Sequence, residues 1–156
     1  MRRLAPLLTL VVALAACSGA SSSGPPLSRA ALVARVDAEC LKLADASTDL
    51  QNAQNPSDEG PTVAKNLHAG ASQLRAHAQA IGDLTPPASL DHELHRFVSL
   101  LEQYADGIDH LADDIHPHET YTQLLNRSTG PVNHLNSISD QANQIAATLA
   151  FNDCAT

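Results

Sequence analysis

The 156-residue sequence contains no tryptophan, two phenylalanines and two tyrosines. A core drawn from such a chain rests on Leu, Ile, Val and Ala, and an Ala-rich seam implies close, thin helix packing rather than a roomy cavity for a large cofactor. Bases are scarce too: nine Lys and Arg face 17 Asp and Glu. That imbalance argues against a nucleic-acid partner, whose phosphates demand positive charge. No segment shows sustained alternation of apolar and polar residues, so strands are not expected. Gly-x-Ser-x-Gly, a Gly-rich phosphate loop and Cys-x-x-Cys are all missing, and the chain is not expected to be an enzyme. The longest apolar run, Leu4 to Ala16, would span only about 20 Å as a helix, short of a roughly 30 Å hydrocarbon core.

What that run does resemble is an export signal: Met1-Arg2-Arg3 supplies the positive head, and small residues crowd its end. Leu14-Ala15-Ala16-Cys17 is similar to a bacterial lipobox. The resemblance implies that residues 1–16 are removed, that Cys17 becomes the acylated first residue, and that a diacylglyceryl group with a further acyl chain such as palmitate holds it. More than one chain is what stable anchoring requires. The expected location is the extracytoplasmic face of the cell membrane, lipid-anchored through Cys17. Residues 17–27, beginning Cys17-Ser18-Gly19-Ala20-Ser21-Ser22-Ser23-Gly24-Pro25-Pro26, are side-chain-poor and read as a flexible tether. Loss of Arg2 and Arg3 leaves seven bases and a net charge of about −10. Residues 28–156 are long enough for one domain with one core.

Two cysteines then remain, Cys40 and Cys154, and pairing is the default in an exported chain. Such a bridge closes a loop of more than 100 residues, which the chain-entropy account values at about 4–5 kcal/mol. With Cys17 acylated and these two paired, no thiol is left as a nucleophile.

Helical periodicity recurs four times. Val33, Val36, Cys40, Leu43, Ser47 and Leu50 form the first series, and Val63, Leu67, Gly70, Leu74, His77, Ile81 and Leu84 the second. The third, from Leu90 through Leu94, Phe97, Leu101, Tyr104, Ile108 and Leu111 to Ile115, is the most regular. A fourth runs through Tyr121, Leu124 and Leu125, then Leu135, Ile138, Ala142, Ile145 and Leu149. Proline-bearing stretches at 55–61, 85–87 and 116–117 separate them. Short connections between amphipathic helices predict an all-α, antiparallel up-down-up-down four-helix bundle with one disulfide. For Cys154 to reach Cys40, the last helix must be short. A break at Gly130-Pro131 is therefore predicted, with a separate helix over 119–127 and the first turns of helix 1 overhanging the bundle.

Ala38-Glu39-Cys40, Leu84-Thr85-Pro86-Pro87 and Asn152-Asp153-Cys154 together resemble small exported helical proteins of actinobacteria, many of them lipoproteins. The resemblance implies the same fold and bridge and carries no catalytic residues.

Eight histidines are the compositional excess with chemical content. In His92-Glu93-Leu94-His95 the two histidines stand three apart, where a zinc-protease helix needs four, so a solvated face is expected. His77 falls on the seam of helix 2, where a hydrogen-bonded interior histidine is expected. His110, Asp114, His116 and His118 form a corner whose imidazoles and carboxylate suit Zn or Cu; no other cofactor is indicated. Helix 3 carries an acidic stripe, Glu102, Asp106, Asp109 and Asp113, able to face a basic protein partner. The sequence thus predicts a lipid-anchored binding or envelope-associated interaction module using that stripe, with a metal-binding lipoprotein as the alternative.

Overall fold

The computed structural model describes residues 25–53 and 57–154, and of residues 47 and 49–53 the backbone alone. The export signal, Cys17 and most of the tether lie outside the described residues, as do the side chains of the seam positions Ser47 and Leu50. The described chain is all-helical: α1 (Arg29–Ala53), α2 (Gly60–Gly82), α3 (Asp91–Asp113), α4 (Tyr121–Arg127) and α5 (Thr129–Leu149). No strand occurs among the described residues; a single antiparallel bridge joins Glu59 to Thr120. No described helix is long and apolar enough to cross a membrane.

Local chemistry sets the helix ends. Ser28 Oγ accepts from the Ala31 N–H, satisfying one of the free donors at the start of α1. Pro61 sits in the first turn of α2, where a missing N–H costs nothing. Asp91 and Glu93 place negative charge at the start of α3, the favourable end of its dipole. Thr120 and Gln123 form a capping box on α4.

The helices pack α1 on α2, α2 on α3 and α3 on α5, with α4 against α5, in a bundle-like arrangement. The main core joins Leu32, Val36 and Cys40 of α1 with Leu94 and Phe97 of α3 and Ile138, Ile145 and Leu149 of α5. Leu124, fully buried, ties α4 to Leu111 and Leu135.

Cys40 and Cys154 are bonded, with Cα atoms 5.2 Å apart. Two details of the expected route to this bond are corrected. The break falls at Ser128, and Gly130-Pro131 lies inside the first turn of α5, where proline is tolerated. Nor does α1 overhang: Leu32 and Val36 are fully buried, and the Leu27 N–H donates to the Thr85 carbonyl. The reach is solved at the other end. Ala150 adopts a left-handed conformation (φ 65°), the Phe151 N–H donates to the Ala146 carbonyl, and the chain reverses. Phe151 then buries itself beside Phe97, ring centroids 5.7 Å apart, and the following turn delivers Cys154 to Cys40.

Candidate functional site

The acidic stripe of α3 does not stand free. Arg75 of α2 reaches Asp106 at 2.6 Å and Asp109 at 2.5 Å. His68, two turns earlier on the same face of α2, lies 2.7 Å from Asp109 and 3.4 Å from Asp113. Burial pushes the Asp109 carboxyl up, but the hydrogen bonds from His68 and Arg75 outweigh it and hold the group below its ordinary value. Three of the four stripe acids thus close the α2–α3 edge, while Glu102 stays exposed and takes no part. The sequence missed this because it shows one helix's charges at a time. The bases that neutralise α3 sit some 30 to 40 residues earlier.

The histidine corner is likewise divided among other partners. Asp114 receives Arg127 Nη1 at 2.6 Å, and its carbonyl receives Nη2 at 2.8 Å. His118 Nδ1 donates to Glu59 at 2.9 Å, His116 donates its backbone N–H to Glu119, and His110 is exposed on the last turn of α3. Among the described residues no three His, Cys, Asp or Glu side chains converge as metal ligands. The organising residue is Arg127, which sequence reasoning passed over. Its Nε and Nη2 donate to both oxygens of the buried Glu119 carboxylate at 2.8 and 2.9 Å. That fork, helped by the His116 N–H, lowers the Glu119 carboxyl to about 2. A lone arginine seven residues after an acid-rich loop was the available signal.

His92 and His95 are solvent-facing, the latter 3.5 Å from Asp91. His77 behaves differently. It is mostly covered, and its Nδ1–H donates to Glu39 Oε2 of α1 at 2.9 Å. The other oxygen of Glu39 accepts from Lys42 at 2.6 Å. The hydrogen bonds from Lys42 and then His77 keep the Glu39 carboxyl below its usual range.

Beside this pair opens a cleft of about 360 Å³, a size within the range of small-molecule sites. It is open to solvent on one side and too small for a large cofactor. Ala71 and Ala105, both fully buried, draw α2 and α3 together, while the backbones of α1 and α5 stay farther apart and meet through the side chains of the shared core. The cleft lies on that open side. Leu74, Phe97, Leu101 and Ile138 line its apolar body, and the Cys40–Cys154 bond forms part of its wall. Around it stand Glu39 and His77 on one side and Ser139, Asn143 and Asp153 on the other. Periodicity marked the lining residues as seam positions; it could not say that two helices bearing them stay apart.

Comparison with protein-family models, curated proteins and solved structures finds no match to this chain.

Proposed function

We propose that the protein is a lipid-anchored binding module of the extracytoplasmic face, non-catalytic, whose site is the apolar cleft between α1 and α5. The location follows from the lipobox-like Leu14-Ala15-Ala16-Cys17 and the small-residue tether behind it. The proposed domain is an antiparallel up-down-up-down bundle of α1, α2, α3 and α5, with α4 laid across one end. Short connections and the Leu27–Thr85 and Glu59–Thr120 links between loops support that topology.

The observation that carries the binding role is the cleft itself. Leu74, Phe97 and Ile138 at its floor are buried, while Leu43, Leu101, Tyr104 and Ile108 along it are half-buried and lack part of the dispersion partners that a filled core would give them. A ligand with an apolar body supplies those partners. The acidic stripe is the weaker candidate, because Arg75 and His68 already occupy most of it.

Titration of the oxidised domain with N-phenyl-1-naphthylamine, a neutral apolar fluorophore, tests the reading. Saturable one-to-one binding is expected, abolished by Ala142→Leu with Ala44→Leu, which fill the cleft from two walls. Absence of saturable binding, or binding unchanged in the filled variant, would overturn it. Alkyne-fatty-acid labelling that is lost in Cys17→Ser, and only there, checks the anchor.

A further inference from the structure

The cleft has an apolar body and a one-sided charge at its edge. Two carboxylate residues line it, Glu39 from α1 and Asp153 from the returning tail, and neither a lysine nor an arginine does. Glu39 is the better placed. Its side chain is about four-fifths covered, one oxygen is fixed by His77 from α2, and the other faces Lys42. Asp153 is positioned independently: its backbone N–H donates to the Asp37 carboxylate at 3.2 Å, and the adjacent Cys154 is covalently tied to Cys40. The Glu39 carboxylate is thus held at the apolar opening by its hydrogen bonds, and the Asp153 backbone is fixed beside it, with its side chain exposed.

The His116–Arg127 concavity is shallow and its charges are paired with one another. The α3 stripe is closed by α2.

From this arrangement we infer that the cleft takes a cationic amphiphile, an alkyl or ring body ending in a protonated amine, with the amine between Glu39 and Asp153. This rests on the cleft being the binding site. The resident cation at Glu39 is Lys42, an exposed residue on a flexible stem paired at a three-residue spacing. Such pairs are weak and exchange readily. A ligand ammonium delivered from the cleft takes the place of Lys42 with its apolar part already desolvated. Lys42 then swings into water at little cost, and Glu39 keeps its hydrogen bond from His77. An anionic head meets repulsion from both carboxylates, and a neutral alcohol gains no charge pairing.

The test is calorimetric titration of the oxidised domain, in about 0.15 M salt so that long-range attraction to the acidic chain is screened, with octylammonium, octanol and octanoate. Octylammonium is expected to bind at least about tenfold more tightly than octanol, a 1.4 kcal/mol difference, with octanoate weakest. Glu39→Gln with Asp153→Asn should erase the preference, and Lys42→Ala, which removes the competing cation, should strengthen it several-fold. Glu102→Gln with Asp106→Asn removes the same charge from the far face and should leave the preference intact. Equal affinity for the three heads, or equal loss from the far-face variant, overturns the amine assignment while naphthylamine binding still supports the cleft. Failure of all four compounds to bind removes both.

Discussion

The α2–α3 edge and the α1–α5 edge of this molecule join helices by opposite means. Along α2–α3, Ala71 and Ala105 let the backbones approach, and Arg75 and His68 reach across to Asp106, Asp109 and Asp113. Many reversible contacts are made there, each weak. Between α1 and α5 the backbones stay farther apart, sharing side chains of the main core, and one covalent bond, Cys40–Cys154, ties α1 to the tail that leaves α5. A covalent link holds its two residues together without requiring the surrounding space to be filled. That is why the cleft lies on this side. It also divides the labour: stability is spread along one edge and concentrated at a point on the other.

The largest effect should come from breaking that point. Cys40→Ser with Cys154→Ser is expected to cost about 2–5 kcal/mol in urea unfolding, from restored freedom of a long loop in the unfolded chain. Hydrogen exchange should show the loss first in the amides of α1 and the end of α5, with α2 and α3 protected longest. Uniform loss of protection would erase the contrast between the two edges. Gly60→Ala should follow in size. A Cβ there would run into the backbone carbonyls of His116 and Pro117, and a clash with main chain costs about 1–3 kcal/mol. Differential scanning calorimetry would measure it, and unchanged stability would mean the start of α2 can shift.

Smaller again is an acid-dependent loss at the Arg127 corner. The Glu119 carboxyl is held at about 2 against an ordinary 4.5, the direction that ionised pairing produces. A folded value below the unfolded one gives stability fully present above about pH 4.5 and lost as the pH falls toward 2. Glu39 and Asp109, also lowered, add to the same trend. Glu119→Gln should therefore be less stable at pH 7 and should flatten the slope of stability against pH between those limits. A wild-type slope in that variant would place the acid sensitivity elsewhere. The smallest effect is expected from Arg75→Ala. Its ion pairs lie at a half-exposed surface, where water and salt already weaken them. Thermal melts should differ little from wild type and converge with it as salt is raised. A large drop would show the α2–α3 edge to be held by charge rather than by the close approach of Ala71 and Ala105.

Much of the architecture was legible. The apolar spacing gave four main helical segments, and the need to bring Cys154 to Cys40 required a break, expected at Gly130-Pro131 and found at Ser128. The seam of α5, Leu135, Ile138, Ala142, Ile145 and Leu149, is the buried face found in the structure. On α1 the buried line runs through Leu32, Val36 and Cys40, with Val33 only half-buried. Both valine and leucine fit a helical stripe there, and packing chose between them. The return of the tail was not legible. Ala150 and Phe151 carry no turn signature, and the left-handed conformation at Ala150 is held by the insertion of Phe151 beside Phe97.

The sequence alone determined the helical segments and the separation of signal-like, tether-like and domain-like composition. These depend on neighbours within a few residues, where side-chain spacing and chain-breaking residues act directly. Tertiary structure decided where the charges and the space went. Arg75 neutralising Asp106, Arg127 gripping Glu119, and α1 standing off from α5 each join residues distant in the chain or on different helices. Their outcome depends on how closely two particular helices approach. That distance is fixed by all the facing side chains together, and one disulfide lets it remain large beside the cleft.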